Sequence, residues 1–368
     1  MGEWLKGTPA GGVTAGANIF DFPLPVATLD ADALSHNLTT MAGYCASHGV
    51  LFAPHGKTTM SPEIVRRQLG HGAWAITAAT AWQAAVLASF GVERIILANQ
   101  VVDRGSLQVL RNLPDVELYC LVDSPEALRL VEPLKPRVLV ELGLPGGRTG
   151  LRDDAAALAL AAEVEAGPAT LAGVAAFEGI VAAPTLAGNL ELVDGLLHRM
   201  AALAAQLPVD DPIVTVGGSA YFDRVVAVLG GGPWRVVLRS GCYVTHDVGA
   251  YDELSPFGAA GRGSLRLRDA LHVWAPVLSR PEPGLALAGL GRRDVSADAG
   301  LPVPRAAARV TALNDQHAYL SIPAGSDLRV GDIIRFGISH PCTTFDKWRV
   351  IPVVAADGTV RDLVHTYF

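Results

Sequence analysis

The chain has 368 residues, half of them hydrophobic and 18% charged, a balance that can build a large core and excludes a disordered polypeptide. A formal net charge of -7, with no basic cluster anywhere, argues against nucleic acid as a partner. Four cysteines in a chain of this size form no dense disulfide framework, so a reduced, cytoplasmic protein is the expectation.

The opening stretch MGEWLKGTPAGGVTAGANIF has no basic segment followed by an apolar one, so no signal peptide is expected. The longer apolar runs are broken by charges or glycines, which argues against a membrane span. After LPVATLD, the stretch ADALSHNLTTMAGYCASHG reads as a helix. Eight short apolar runs then alternate with helical segments: VLFAPHGK, AWAITAAT, RIILANQ, ELYCLVDS, RVLVELGL, AGVAAFEG, IVTVGGS and WRVVLRSG. They are apolar throughout rather than alternating, as parallel strands buried on both faces must be. Two of the intervening segments open with Ser-Pro-Glu, which supplies an N-cap, a proline at the first helical position and an acid near the positive helix end. The pattern predicts an α/β fold with a (β/α)8 TIM-like barrel, an open doubly wound sheet being the alternative. From residue 251 onward the runs LHVWAPVLSRP, GLALAGLG, ARVTALNDQHAYLSI, GDIIRFGI, WRVIPVV and TVRDLVHTYF are separated by Gly, Pro and Asp with no good helix between them, and predict an antiparallel β domain.

A barrel carries its chemistry at the C-terminal ends of its strands. The first run ends in His55, Gly56 and Lys57. Only four lysines occur among the 29 Lys and Arg (Lys6, Lys57, Lys135 and Lys347), so a lysine at a strand end invites explanation. Its amine can lose a proton and form a Schiff base, which arginine cannot; the alternative is a surface lysine. The seventh run ends in Gly217, Gly218 and Ser219 ahead of a helix, where backbone N–H groups can meet an anion or simply make a turn. A lysine and a phosphate loop at the same barrel end point to pyridoxal phosphate. Arg148, Glu178, Arg239, Gly241, Tyr243, His246 and Asp247 lie at the remaining strand ends. His55 beside Lys57 is either a proton relay or structural. In the last third, His340 and Cys342 stand two apart, so an extended segment would point both the same way. That pair suits zinc with open positions, or is a strand that carries a histidine and a buried cysteine.

Together these motifs resemble the D-threonine aldolase and D-serine dehydratase family, pyridoxal-phosphate enzymes with the alanine-racemase fold. The likeness runs from LPVATLDADALSHNL to the C-terminal strands. PHGKTTMSPE resembles the Schiff-base segment, which makes Lys57 the cofactor lysine. GGRTGLR resembles the strand-five segment, implying that Arg148 contacts the ring oxygen. VGGS resembles the phosphate loop of Gly217, Gly218 and Ser219, and RSGCYV the closing strand with Arg239, Gly241 and Tyr243. NDQHAYL implies a site role for His317, and SHPCTTFD implies His340 and Cys342 as metal ligands. AAFEG departs from the tyrosine- or histidine-containing versions of strand six, which leaves Glu178 without an assigned role.

The resemblance implies a barrel over residues 30–250 and a β domain formed by 1–29 and 251–368, in a head-to-tail homodimer. It implies a lyase of D-β-hydroxy amino acids that uses pyridoxal phosphate and a divalent metal. Cysteine as the second ligand points to zinc and the dehydratase branch, yielding a 2-oxo acid and ammonia. Manganese or magnesium, with retro-aldol cleavage to glycine and an aldehyde, is the alternative. A racemase has no use for a metal on a β-hydroxyl, and a non-catalytic cofactor carrier has no use for residues 251–368.

Overall fold

The computed structural model describes residues 6–9, 12–13, 16–259 and 261–368. Among them run seventeen strands. The first nine are β1 (Val26–Asp30), β2 (Leu51–Phe52), β3 (Ile76–Ala78), β4 (Arg94–Leu97), β5 (Glu117–Val122), β6 (Arg137–Leu142), β7 (Thr170–Ala176), β8 (Ile213–Val216) and β9 (Arg235–Leu238). The rest are β10 (Leu271–Glu282), β11 (Leu285–Ala288), β12 (Val303–Pro304), β13 (Arg309–Leu313), β14 (Ala318–Ser321), β15 (Ile333–Gly337), β16 (Val350–Val354) and β17 (Val360–His365). The chain divides into two compact units, one of Met41–Met60 and Val65–Gly241, the other of Met1–Thr40, Ser61–Ile64 and Cys242–Phe368.

In the first unit β2 to β9 are parallel neighbours, in the order β2-β9-β8-β7-β6-β5-β4-β3. The two ends of this series meet. Trp74 N donates to Phe52 O at 2.7 Å, Thr77 N to Pro54 O at 2.9 Å and Thr77 Oγ1 to Ala53 O at 2.6 Å. His55 also bridges Thr77 in parallel, so the ladder closes into a barrel. The eight apolar runs of the sequence are these eight strands. Ala53, Ile96, Tyr119, Leu121, Leu139, Ala175, Ile213 and Val237 pack into one core cluster. Helices lie between successive strands in the chain, so a strand is covered on both sides and has no reason to alternate. The Ser-Pro-Glu starts behave as caps. Ser124 Oγ accepts from Ala127 N at 3.1 Å at the head of the helix Pro125–Val131, and Ser61 Oγ accepts from Ile64 N at 3.4 Å at the head of Pro62–Gly70.

One irregularity matters for the site. Val138 of β6 pairs with Leu171, but Leu139 pairs with Gly173, so β7 carries one residue more than its neighbour. Gly173 holds the bulge at a φ of 145°.

In the second unit β1 lies between β10, to which it is antiparallel, and β16, to which it is parallel. The order is β13-β14-β11-β10-β1-β16-β17, with β15 pairing both β10 and β12. Ile19, Phe22, Val26, Val354 and Val360 form its core beside β1. The six late runs correspond to β10, β11, the hairpin of β13 and β14, β15, β16 and β17. The two-residue β12 and the four-residue helix Cys342–Phe345 escape sequence reading, because elements this short have no periodicity to read. Among the described residues no helix is long and apolar enough to cross a membrane.

The bulge gives a stability prediction. A Cβ at Gly173 would lie 1.9 Å from Ile213 O, against backbone that cannot swing away. Gly173→Ala is therefore expected to cost about 2–4 kcal/mol, combining φ strain with overpacking. Urea unfolding monitored by circular dichroism measures it, and an unchanged midpoint would mean that the β7 backbone relaxes freely.

Candidate active site

The barrel unit gathers the expected residues around the end of β2. Gly56, Lys57 and Thr58 form a short 3-10 helix capped by His55. Gly56 and Thr58 are buried, while Lys57 between them is exposed. Gly56 has no room for a side chain, since a Cβ would come within 2.8 Å of Leu87. Gly241 closes the same packing from β9, its missing Cβ leaving space that Thr58 Oγ1 and the His55 Cβ would contest at 2.7 and 2.8 Å. The other three lysines are placed differently. Lys6 pairs with Asp294 at 2.7 Å and lies over the Trp348 ring, and Lys347 lies 3.6 Å from Asp346, while Lys135 is exposed at the end of a helical turn away from any barrel strand's C-terminal end.

Arg239 is buried at the end of β9. Its Nη1 donates to Thr215 Oγ1 at 2.7 Å and its Nη2 to Ala176 O at 2.8 Å, and its own carbonyl accepts from His55 N at 3.2 Å. Burial pulls this guanidinium down to about 10, with the carboxylates of Glu178 and Glu141 opposing. Glu178, at the end of β7, is fully buried. Its Oε1 accepts from Gly218 N at 2.8 Å, and its Oε2 has no partner among the described residues. Burial raises the Glu178 carboxyl, although backbone N–H groups, Arg239 and Arg148 pull the other way. Burial also pushes the His55 imidazole well below its usual value, helped by the nearby charges of Lys57, Arg239 and Arg148. His55 is thus neutral, and its Nδ1 is buried without a partner among the described residues. Arg148 is exposed, its guanidinium 4.2 Å from the centre of the Phe177 ring.

The glycine loop is tightly built. A Cβ on Gly217 would come within 2.4 Å of the Arg239 Cβ, and one on Gly218 within 3.1 Å of Glu178 Oε1. Ser219 is buried, and Ser240 Oγ donates to Gly218 O at 2.7 Å. The helix that follows, Phe222–Leu229, begins three residues after Ser219.

In the second unit a donor cluster forms around Cys342. The sulfurs of Cys242 and Cys342 lie 3.4 Å apart, and with a ring nitrogen of His340 the three ligand atoms fall within 4.8 Å of one another. The expected pair of His340 and Cys342 is brought together, though not by strand alternation. Pro341 between them is in the helical region (φ −72°, ψ −34°), and Cys342 opens a helix. His340 Nδ1 meets Asp298 Oδ2 at 2.8 Å, and Thr343 Oγ1 donates to Asp298 Oδ1 at 3.1 Å. This carboxylate leaves Nε2 as the ring nitrogen that can bind a metal. The Cys342 thiol, and then Asp298, raise the His340 imidazole to about 9. The hydrogen bond with Cys342 and burial hold the Cys242 thiol well above its usual value.

Asp247 and His246 make local contacts beyond the last barrel strand. Asp247 Oδ1 accepts backbone N–H groups from Gly249, Tyr251 and Asp252 and so starts the helix Ala250–Leu254. His246 is buried at a φ of 49°, with Nε2 3.3 Å from Asp252 Oδ1. Tyr243 is buried in the 3-10 helix Cys242–Val244. His317 is exposed in the turn between β13 and β14. Burial pushes the thiols of Cys45 and Cys120 up to about 12, as befits core residues. Sequence reading misses Asp298 and the ligand capacity of Cys242. Cys242 stands 100 residues from Cys342, a separation that carries no spacing signal.

Arg239→Met tests the electrostatics of the barrel end. Removing the buried cation while leaving two buried acids behind is expected to cost about 3–5 kcal/mol, as for other broken buried charge pairs. Chemical unfolding at neutral pH measures the loss, and wild-type stability would mean that Glu178 and Glu141 are uncharged without it.

Residues 29–225 match the family described as alanine racemase, N-terminal domain, and residues 270–354 match the putative serine dehydratase domain. A D-threonine aldolase from an Arthrobacter species is 30% identical over 357 residues, covering 92% of this chain and 90% of that protein. The crystal structure of D-threonine aldolase from Filomicrobium marinum is similar with a TM-score of 0.85 at 25% identity, over 96% of this chain and 97% of that one. D-threo-3-hydroxyaspartate dehydratase from Delftia sp. HT23 shares the fold, with a TM-score of 0.77 at 22% identity over 95% and 99% of the two chains. A strand-end lysine in a closed barrel, a sheet domain with a thiol and imidazole cluster, and these matches over nearly the whole length lead to one conclusion: the chain belongs to the D-threonine aldolase and D-serine dehydratase family of pyridoxal-phosphate-dependent lyases with the alanine-racemase fold.

Proposed function

We propose that the protein is a pyridoxal-phosphate- and metal-dependent lyase of D-β-hydroxy amino acids. Its main reaction in this reading is dehydration of a D-serine- or D-threonine-like substrate to a 2-oxo acid and ammonia. The observation that carries the reading is Lys57, an exposed amine between buried neighbours at the barrel end, two residues from a neutral histidine. The residues present fit the cofactor. Glu178 has a buried carboxyl oxygen, and His55 a buried ring nitrogen, without a partner among the described residues.

Pyridoxal phosphate, when bound, supplies a conjugated ring that accepts the electron pair left on the substrate Cα. Lys57 would hold its aldehyde, Arg148 its ring oxygen, and Gly217, Gly218 and Ser219 its phosphate, with Arg239, Gly241 and Tyr243 completing the cofactor-binding set. When not bonded to the cofactor, Lys57 is the base for the Cα proton. His55 stays uncharged beside it, so it adds no second positive charge next to the Lys57 amine. Arg239 ties together the strand ends at Thr215 and Ala176, and its charge interacts with the Glu178 carboxylate. A divalent metal on His340 and Cys342, when bound, supplies a Lewis acid for a departing β-hydroxyl. The thiol donor favours zinc over manganese or magnesium, and this softness supports dehydration as the main reaction. A head-to-tail homodimer belongs to the same reading, in which exposed His317 serves the site of a second copy.

One observation favours a second reading. The relative at 30% identity is a D-threonine aldolase, so cleavage of Cα–Cβ to glycine and an aldehyde competes with dehydration. In that reaction the base takes the hydroxyl proton instead of the Cα proton.

Incubation of the loaded enzyme with a panel of D-β-hydroxy amino acids, with ammonia and aldehyde assayed in parallel, separates the two. Ammonia without aldehyde is the expected result, and aldehyde with glycine selects the second reading. Borohydride reduction followed by peptide mapping is expected to leave a pyridoxyl group on Lys57, and a label on Lys6, Lys135 or Lys347 would remove the central assignment. Lys57→Ala is expected to lower turnover by at least about 10²–10⁴-fold, the range for losing a positioned base.

A further inference from the structure

The donor cluster is larger than the pair that sequence spacing predicts. We propose that Cys242 is a third protein ligand of the metal, so that the site is Cys2His with one open position. The inference rests on the reading of His340 and Cys342 as metal ligands and adds a residue to it.

Geometry carries the argument. Sulfurs bound at about 2.3 Å to a tetrahedral zinc lie about 3.8 Å apart, and sulfur to imidazole nitrogen is slightly closer. The Cys242 and Cys342 sulfurs stand 3.4 Å apart, a few tenths of an ångström short of that span, and the His340 nitrogen lies inside the same 4.8 Å cluster, so a slight opening of the sulfurs and a closing of the imidazole by up to about 1 Å admit the ion. None of the three needs a new backbone position. Cys242 is fixed in the 3-10 helix Cys242–Val244, and its carbonyl accepts from His246 N at 2.7 Å. The His340 carbonyl accepts from Ser296 Oγ at 2.5 Å, and Ser296 N donates to Thr344 Oγ1 at 2.9 Å, which ties down both sides of Cys342. Asp298 orients the imidazole through Nδ1, as an outer-shell carboxylate does for a ligating histidine. Two thiolates and one imidazole make a soft, doubly anionic donor set that balances a zinc dication and suits manganese or magnesium poorly. Three protein ligands with a fourth position open is the pattern of catalytic rather than structural zinc. The single open position can take a substrate hydroxyl but not a hydroxyl and a carboxylate together in tetrahedral geometry.

X-ray absorption at the zinc edge of the full chain, loaded with pyridoxal phosphate and one equivalent of Zn2+, counts the sulfurs directly and needs no variant. Two sulfurs per zinc is the expected result. One sulfur overturns the role of Cys242 and leaves the His340 and Cys342 reading intact, whereas zinc bound without sulfur overturns both. Cobalt substitution provides the second measurement. Thiolate-to-cobalt absorption is expected to fall by about half in Cys242→Ser, with a loss of Co2+ affinity beyond the roughly 10–100-fold that removing an outer-shell partner costs. An unchanged cobalt spectrum and affinity in that variant would overturn the proposal. A Cys242–Cys342 disulfide in freshly reduced, zinc-loaded protein would overturn it as well.

Discussion

The guanidinium of Arg239 sits where three barrel strands end, and much of the candidate active site hangs from it. It donates to the Thr215 side chain on β8 and to the Ala176 carbonyl on β7, while its own carbonyl on β9 receives the His55 amide. The side chain thus ties β9 to β7 and β8, and the same residue's carbonyl adds the end of β2. A cation sealed from water is costly unless its neighbours compensate, and here two buried acids do so. The arrangement explains why Gly217 and Gly241 are glycines: each lies against Arg239 or the Lys57 segment at distances that leave no space for a methyl group. Rigidity at this rim is what a lysine needs if it is to meet the same atom in every turnover.

The two candidate sites use different physical means. In the barrel, burial does most of the work, keeping His55 neutral and pushing the Glu178 proton affinity up. In the sheet unit, proximity does it. Two thiols and an imidazole crowd together so that their ionisation states depend on each other, and a cation at their centre would relieve all three.

The barrel was legible because its physical cause is periodic. A strand covered on both faces is apolar at every position, and eight such runs with capped helices between them leave few alternatives. Lys57 was legible for a compositional reason, since lysine is scarce in this chain and one of the four falls at a strand end. Chemistry assembled across long separations was not legible. Cys242 follows β9 and Cys342 follows β15, and only the folded sheet unit joins them. His340 and Cys342 come together, but not by the alternation that an extended segment predicts. A helical residue at Pro341 brings them together where an extended segment was expected. Glu178 could be located but not interpreted, because its burial and its bond to Gly218 depend on packing that one sequence does not display.

The extra residue in β7 bears on how that glutamate is presented. A bulge takes up one surplus residue locally and leaves the ladder in register on either side of it. Leu171 pairs with Val138 before the bulge and Ala176 with Leu142 after it, so Ala172 is the surplus residue. Deleting Ala172 would make the ladder regular without changing which residues of β7 meet β6 at the rim. What it would remove is the local bend at Gly173 and the added twist that a bulge imparts. The surplus residue is thus a means of aiming: it tilts the strand end from which Glu178 reaches Gly218 while the residues and their pairing stay the same.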